Sequence, residues 1–148
     1  MRTTNDVVDR LRRPVDHVEY EAIRRLWTAH SMAEDARDIQ GLMATLTDDC
    51  TYVVENKGVS WTGKQGATEF YRQLLTAFPD IHFDLQDIVI GPQGVFERAR
   101  VTATHQLAWL DVPATGGPVE FDVLILFPWD PVQRLFTGEH VWVFERDR

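Results

Sequence analysis

The tripeptide Phe78-Pro79-Asp80 constrains this chain more than any other stretch. Before it, apolar residues recur at helical spacing; after it, they recur at every second position. Proline cannot continue a helix, and it pushes the residue before it out of helical geometry. The helix ahead of it must therefore stop there, and the strand behind it must begin at once. Trp61 to Ile90 reads as a glycine turn, an amphipathic helix over 64–78 with Ala67, Phe70, Tyr71, Leu74 and Phe78 on one face, the break, and an alternating strand. A helix that feeds directly into a strand lies across the sheet that the strand joins, so the space between them is where a site is expected.

The chain before this stretch opens with helices and closes on short strands. Met1 to Pro14 is polar and reads as a flexible N-terminal arm, which leaves 15–148 as the single domain. Val15, Val18, Ala22, Ile23, Leu26, Trp27 and His30 fall at three- and four-residue steps and predict a helix to about Glu34. Asp38 has the position of an N-cap for a short helix through Ile39, Leu42, Met43 and Leu46. Cys50 to Val54 and Val59 to Thr62 read as short strands around an Asn-Lys-Gly turn.

After the break the period is two. Strands are expected over 81–90, 95–110, 119–129 and 132–144, with Pro113 to Pro118 as a loop and Asp130-Pro131 at the last hairpin. Helices gathered at one end and an antiparallel meander at the other give an α+β class. A sheet that accepts three helices on one face curves around them, so the expected shape is a cone with an internal cavity.

Composition narrows the function. The net charge is −8 and no basic stripe is present, which excludes nucleic acid as a partner. The single cysteine allows no internal disulfide, and the five histidines lack metal-ligand spacing, so no metal or cofactor is expected. Gly63-Lys64-Gln65-Gly66 lacks the length and the Lys-Ser/Thr ending of a phosphate loop. No apolar run approaches the ~18 residues of a membrane span, and the charged N-terminus has no signal-peptide core. No membrane association and a cytoplasmic location are the expectations.

In order and spacing, Leu46-Thr47-Asp48-Asp49-Cys50-Thr51-Tyr52, Gly63-Lys64-Gln65-Gly66, Phe78-Pro79-Asp80, Ala103-Thr104-His105, Pro113-Ala114-Thr115-Gly116 and Gly138-Glu139-His140-Val141-Trp142 resemble the nuclear transport factor 2-like (NTF2-like, cystatin-like) superfamily. The chain is most similar there to the SnoaL-like polyketide cyclases and ketosteroid isomerase-like proteins. The resemblance implies the cone fold, a ligand-binding cavity, and activities from cyclase to isomerase to none. It also implies a pocket histidine at His105. The cyclases' base aspartate corresponds to Ile125, with Asp122 the nearest carboxylate, and the isomerases' base corresponds to Val54, beside Glu55.

The residues themselves suggest four catalytic candidates. His105 shares parity with Val101 and Ala103 and points to the apolar side, for acid–base work or as a core histidine bonded to backbone. Asp122 alternates away from Phe121 and Val123 and needs a bulge to turn inward. His30 looks from the first helix towards the sheet. Tyr52 is placed at the pocket mouth, where a hydroxyl can donate to a developing oxyanion, or else in the core. Trp27, Phe70, Tyr71, Leu74, Trp109, Phe121, His140 and Trp142 are the expected substrate-binding wall. The function these imply is cofactor-free cyclisation or isomerisation of a small apolar or aromatic carbonyl compound. The alternative is a non-catalytic ligand-binding or accessory domain. Apolar residues on both sheet faces imply a homodimer through the outer face.

Overall fold

The computed structural model describes residues 4–146, with side chains from Val7 onward. Its elements run α1 (Thr4–Leu11), α2 (His17–Asp35), α3 (Ile39–Met43), β1 (Leu46–Val54), β2 (Val59–Thr62), α4 (Gly63–Ala77), β3 (His82–Gly91), β4 (Gly94–Thr104), β5 (Pro118–Asp130) and β6 (Leu135–Glu145). One curved six-stranded sheet has the order β2-β1-β6-β5-β4-β3. All neighbours are antiparallel except β1 and β6, which run parallel. Helices α2 to α4 cover its concave face, and the core lies between them, as the α+β reading required.

The helix ends follow the local chemistry. Asp16 caps α2 by accepting from Glu19 N at 2.8 Å, and Asp38 caps α3 by accepting from Gly41 N at 3.0 Å. Helix α4 stops at the break, and Asp80 then accepts from Thr104 N at 2.6 Å and Thr104 Oγ1 at 2.7 Å. The break therefore also ties off the end of β4.

Several expectations change. Within the N-terminal stretch, whose first three residues lie outside the described ones, Thr4–Leu11 form α1, and Arg13 donates to the carbonyls of Trp129 (3.1 Å) and Pro92 (3.3 Å). Val15 and Val18 are exposed rather than part of the apolar face of α2, because Asp16 starts the helix and rotates them to solvent. In β3 a register shift between Leu85 and Asp87 reverses the alternation, so Val89 joins the outer face opposite Phe96. Strand β4 ends at Thr104, and residues 105–117 form a loop that folds back over the open end of the cone. In that loop Trp109 and Val112 exchange backbone hydrogen bonds across a two-residue turn, with Leu110 at φ +54°.

Candidate functional site

The concave face is apolar apart from one cluster of acids and their partners. Glu34 ends the inner face of α2, four residues after His30. Glu97 lies between Val95 and Ala99 on β4, and Glu139 shares the inward parity of Val141 and Val143 on β6. Glu139 and Glu97 are buried to 2% and 8% exposure.

Hydrogen bonds fix the protons of this cluster. Thr45 Oγ1 donates to Leu42 O at 2.7 Å, so it must accept from His30 Nδ1 at 2.8 Å. Tyr71 donates its hydroxyl to Glu139 Oε2 at 2.7 Å, and Tyr52, 2.7 Å from the Tyr71 oxygen, donates to it. His30 Nε2 then faces Glu139 Oε2 at 3.0 Å, with its other nitrogen already a donor. His30 Nε2 also lies 3.1 Å from the Tyr71 hydroxyl, so Tyr52, Tyr71, His30 and Glu139 form one continuous buried network.

Burial disfavours charge on the remaining acids. Burial, then the neighbouring Glu139 and Glu97 carboxyls, raises Glu34 well above the usual carboxylate range. Burial, then Glu139, raises Glu97 to about 7, against a weaker opposing bond from Trp27 Nε1 at 3.4 Å. Burial and Glu139 likewise push Tyr52 and Tyr71 well up, so both hydroxyls stay protonated donors.

The Glu97 shift has a consequence for stability. The folded state holds the Glu97 proton more tightly than the unfolded chain does, with a pKa of about 7 against 4.5. Its contribution is complete below pH 4.5 and is lost as the pH rises through 7, a span worth about 3 kcal/mol. Glu97→Gln should therefore raise the unfolding temperature at pH 8 and flatten its dependence between pH 4 and 8. Thermal unfolding across that range checks this, and an unchanged slope would assign the dependence to other groups.

A small cavity adjoins the cluster and a larger one opens beyond it. The inner one, of about 30 Å³, is lined by Glu34, Glu139, Phe70, Leu74, Phe83 and Ile125. A vestibule of about 500 Å³ at the open end of the cone is lined by His105, Phe78, Lys57, Arg146, Val119 and Glu120. Trp109, Phe121 and Val143 wall both. Among the described residues, no group of three or more His, Cys, Asp or Glu side chains is placed to hold a metal ion.

The expected site residues divide between these places. His30, Tyr52 and Tyr71 meet in the acid cluster. Tyr52 is fully buried against Phe70 at 4.9 Å rather than standing at the mouth, because its parity on β1 turns it to the core. Trp27 reaches Glu97, and Phe70, Leu74, Trp109 and Phe121 line the inner cavity. His105 is buried in the vestibule wall, its ring tilted against that of Phe78 at 4.6 Å, away from the acids.

Asp122 lies on the outer face, 3.6 Å from Arg100 and 3.5 Å from Arg146, because β5 keeps simple alternation there. His140 and Trp142 are also on the outer face. His140 pairs with Glu55 at 2.7 Å and Trp142 stacks on Phe96 at 6.3 Å, so neither lines the cavity wall. Glu34, Glu97 and Glu139 were not among the expected residues. Their signal was position, since each shares the face or parity of core residues despite its charge.

The comparisons agree with this architecture. A SnoaL-like domain profile matches residues 23–130, more than half of the chain. AclR of Streptomyces galilaeus, a candidate hydroxylase, superposes with a TM-score of 0.69 at 20% identity, over 86% of this chain and 81% of that one. A candidate SnoaL-like polyketide cyclase from Jannaschia sp. CCS1 gives 0.70 at 18% identity over 89% of both chains. An M. tuberculosis LEH-like epoxide hydrolase gives 0.65 at 16% identity over 84% of both. No curated protein matches the sequence. No helix among the described residues is long and apolar enough to cross a membrane. With the cone, the cavity and the matched profile together, the chain belongs to the SnoaL-like domain family of the NTF2-like superfamily.

Proposed function

We propose that this domain binds a small neutral, apolar carbonyl compound and moves a proton on it without a cofactor, with Glu139 as base and Glu34 as acid. The observation that carries this is the pair of carboxyl groups facing one apolar cavity in different environments. Tyr71 and His30 grip Glu139 Oε2, while Glu34 has burial and like charge acting on it. Carboxyl groups in such unlike surroundings divide naturally into acid and base. Tyr71, Tyr52 and His30 position Glu139 rather than touch the ligand. Cyclisation and isomerisation are both proton transfers of this kind.

Deuterium exchange at the carbon beside the carbonyl tests the reading on any carbonyl compound, without knowledge of the natural substrate. Wash-in from D2O into cyclic ketones and 1,3-diketones, followed by proton NMR, should be faster with the protein than with buffer. No acceleration across the series counts against catalysis. The inner cavity favours that second reading, a non-catalytic binding domain. At about 30 Å³ it has room for one or two waters, and a ligand held in the vestibule must displace Trp109 or Phe121 to reach the acids.

Dimerisation through the outer sheet face belongs to the same proposal. Val89, Phe96 and Phe144 are exposed there around the Phe96–Trp142 stack, an apolar patch suited to a second copy. Sedimentation of the wild type against Phe96→Glu should show a dimer converted to monomer. A monomeric wild type would remove the proposal. A cytoplasmic location is consistent with the single free, buried Cys50.

A further inference from the structure

Trp109 is the one large side chain that both cavities and a third surface groove share. It is 5% exposed, its ring lies 5.9 Å from that of Phe78, and its indole N–H has no hydrogen-bond partner. An indole nitrogen is only ever a donor, and a buried donor left unpaired costs about 1–3 kcal/mol. His105 Nε2, in the same vestibule wall, is also buried without a partner.

The vestibule rim, by contrast, has its charges paired. Lys57 lies 3.3 Å from Asp111 and 3.7 Å from Glu145, and Arg146 lies 3.2 Å from Glu120. A charged ligand would find no free counter-ion there. An uncharged ligand that presses into this aromatic wall would meet two buried nitrogens without partners, the Trp109 donor and His105 Nε2.

We infer that Trp109 is a specificity-determining residue: its indole N–H is the hydrogen-bond donor for an uncharged ligand's oxygen, and its ring decides how far that ligand passes from the vestibule towards the acids. The second half rests on the acid–base reading above, while the first does not. The hairpin carrying Trp109 suits such a role. It is held by its own Trp109–Val112 pairing and by Gln106 N on Ala77 O at 2.9 Å, and its turn places Leu110 at φ +54°, an uncommon conformation for a non-glycine residue.

The test compares 1-tetralone with tetralin, the same bicycle without the oxygen, by isothermal titration. The ketone should bind about tenfold more tightly, the value of one hydrogen bond of about 1.4 kcal/mol. Trp109→Phe, which removes the donor and keeps an aromatic ring, should lose most of that preference. The unaltered protein gives a second readout that does not depend on the variant's folding. Of its five indole N–H cross-peaks in a 15N-labelled sample, the one absent from Trp109→Phe should move on adding 1-tetralone and not on adding tetralin.

Equal affinity of the two probes, a preference that survives Trp109→Phe, or tighter binding of 1-naphthoate than of the ketone would each overturn the inference. Glu139→Gln separates it from the proposed reaction. That variant should keep the ketone preference even where proton exchange is lost. Exchange without any preference would sink Trp109's part alone.

Discussion

Glu139→Gln should slow catalysed deuterium exchange by about 10²- to 10⁴-fold, the usual worth of a positioned general base. The substitution is chosen to preserve the structure. With its carbonyl oxygen in the place of Oε2, glutamine still accepts from Tyr71 and still faces His30 Nε2, the two contacts that hold Glu139. It also removes a like charge from beside Glu34 and Glu97, so both should ionise at lower pH than in the wild type. Exchange kinetics with thermal unfolding on the same samples separates the two effects. A large rate loss with a near-native unfolding temperature supports the base assignment. An unchanged rate removes it.

The largest effect on folding should come from Gly138→Ala. Gly138 lies opposite Thr51, where β6 runs parallel to β1, and has φ +125°. A Cβ there would fall on the Thr51 carbonyl, and backbone cannot move aside as a flexible side-chain tip can. Separation of the two strands and a strained φ together should cost about 4 kcal/mol or more, which for a chain of this size lowers the unfolding temperature by roughly 10–15 °C. Because Glu139 follows directly, the surviving fold should also lose exchange activity. Gly116→Ala is the comparison. It too has a positive φ, +75°, but nothing lies within 4 Å of an added Cβ, so only the backbone term of about 1 kcal/mol applies. Similar losses for both variants would show that crowding against Thr51 is not what matters at Gly138.

The fold was largely legible because its signals are local. The Phe78-Pro79-Asp80 break, the Asp38 cap and the change of period each fix an element without reference to the rest. The site was less legible because it depends on which face a residue takes once the sheet is paired. Parity carried His105 inward and left Asp122 outward, and the structure has both so. The same parity places Glu97 with Val95 and Ala99, but a carboxylate in an apolar row reads as an interruption rather than as a residue of the wall. Only the placement of β4 and β6 on either side of β5, with α2 above them, shows that three such interruptions meet. A single bulge, at Leu85/Asp87, was enough to send Val89 to the other face. Trp109 shows the opposite failure. It was expected on a strand and lies in a loop, yet it is buried all the same because that loop closes the cone.

The account rests on burial and like charge holding the Glu34 proton more tightly than an ordinary carboxyl does, while Glu139 is held by Tyr71 and His30. Carbon-13 NMR of the glutamate side-chain carboxyls, with the Glu34 signal assigned by its loss in Glu34→Gln, measures this directly. The account predicts a Glu34 inflection well above the ordinary carboxylate range, moving down in Glu139→Gln. A Glu34 signal that ionises in the ordinary carboxylate range and ignores Glu139 would contradict it.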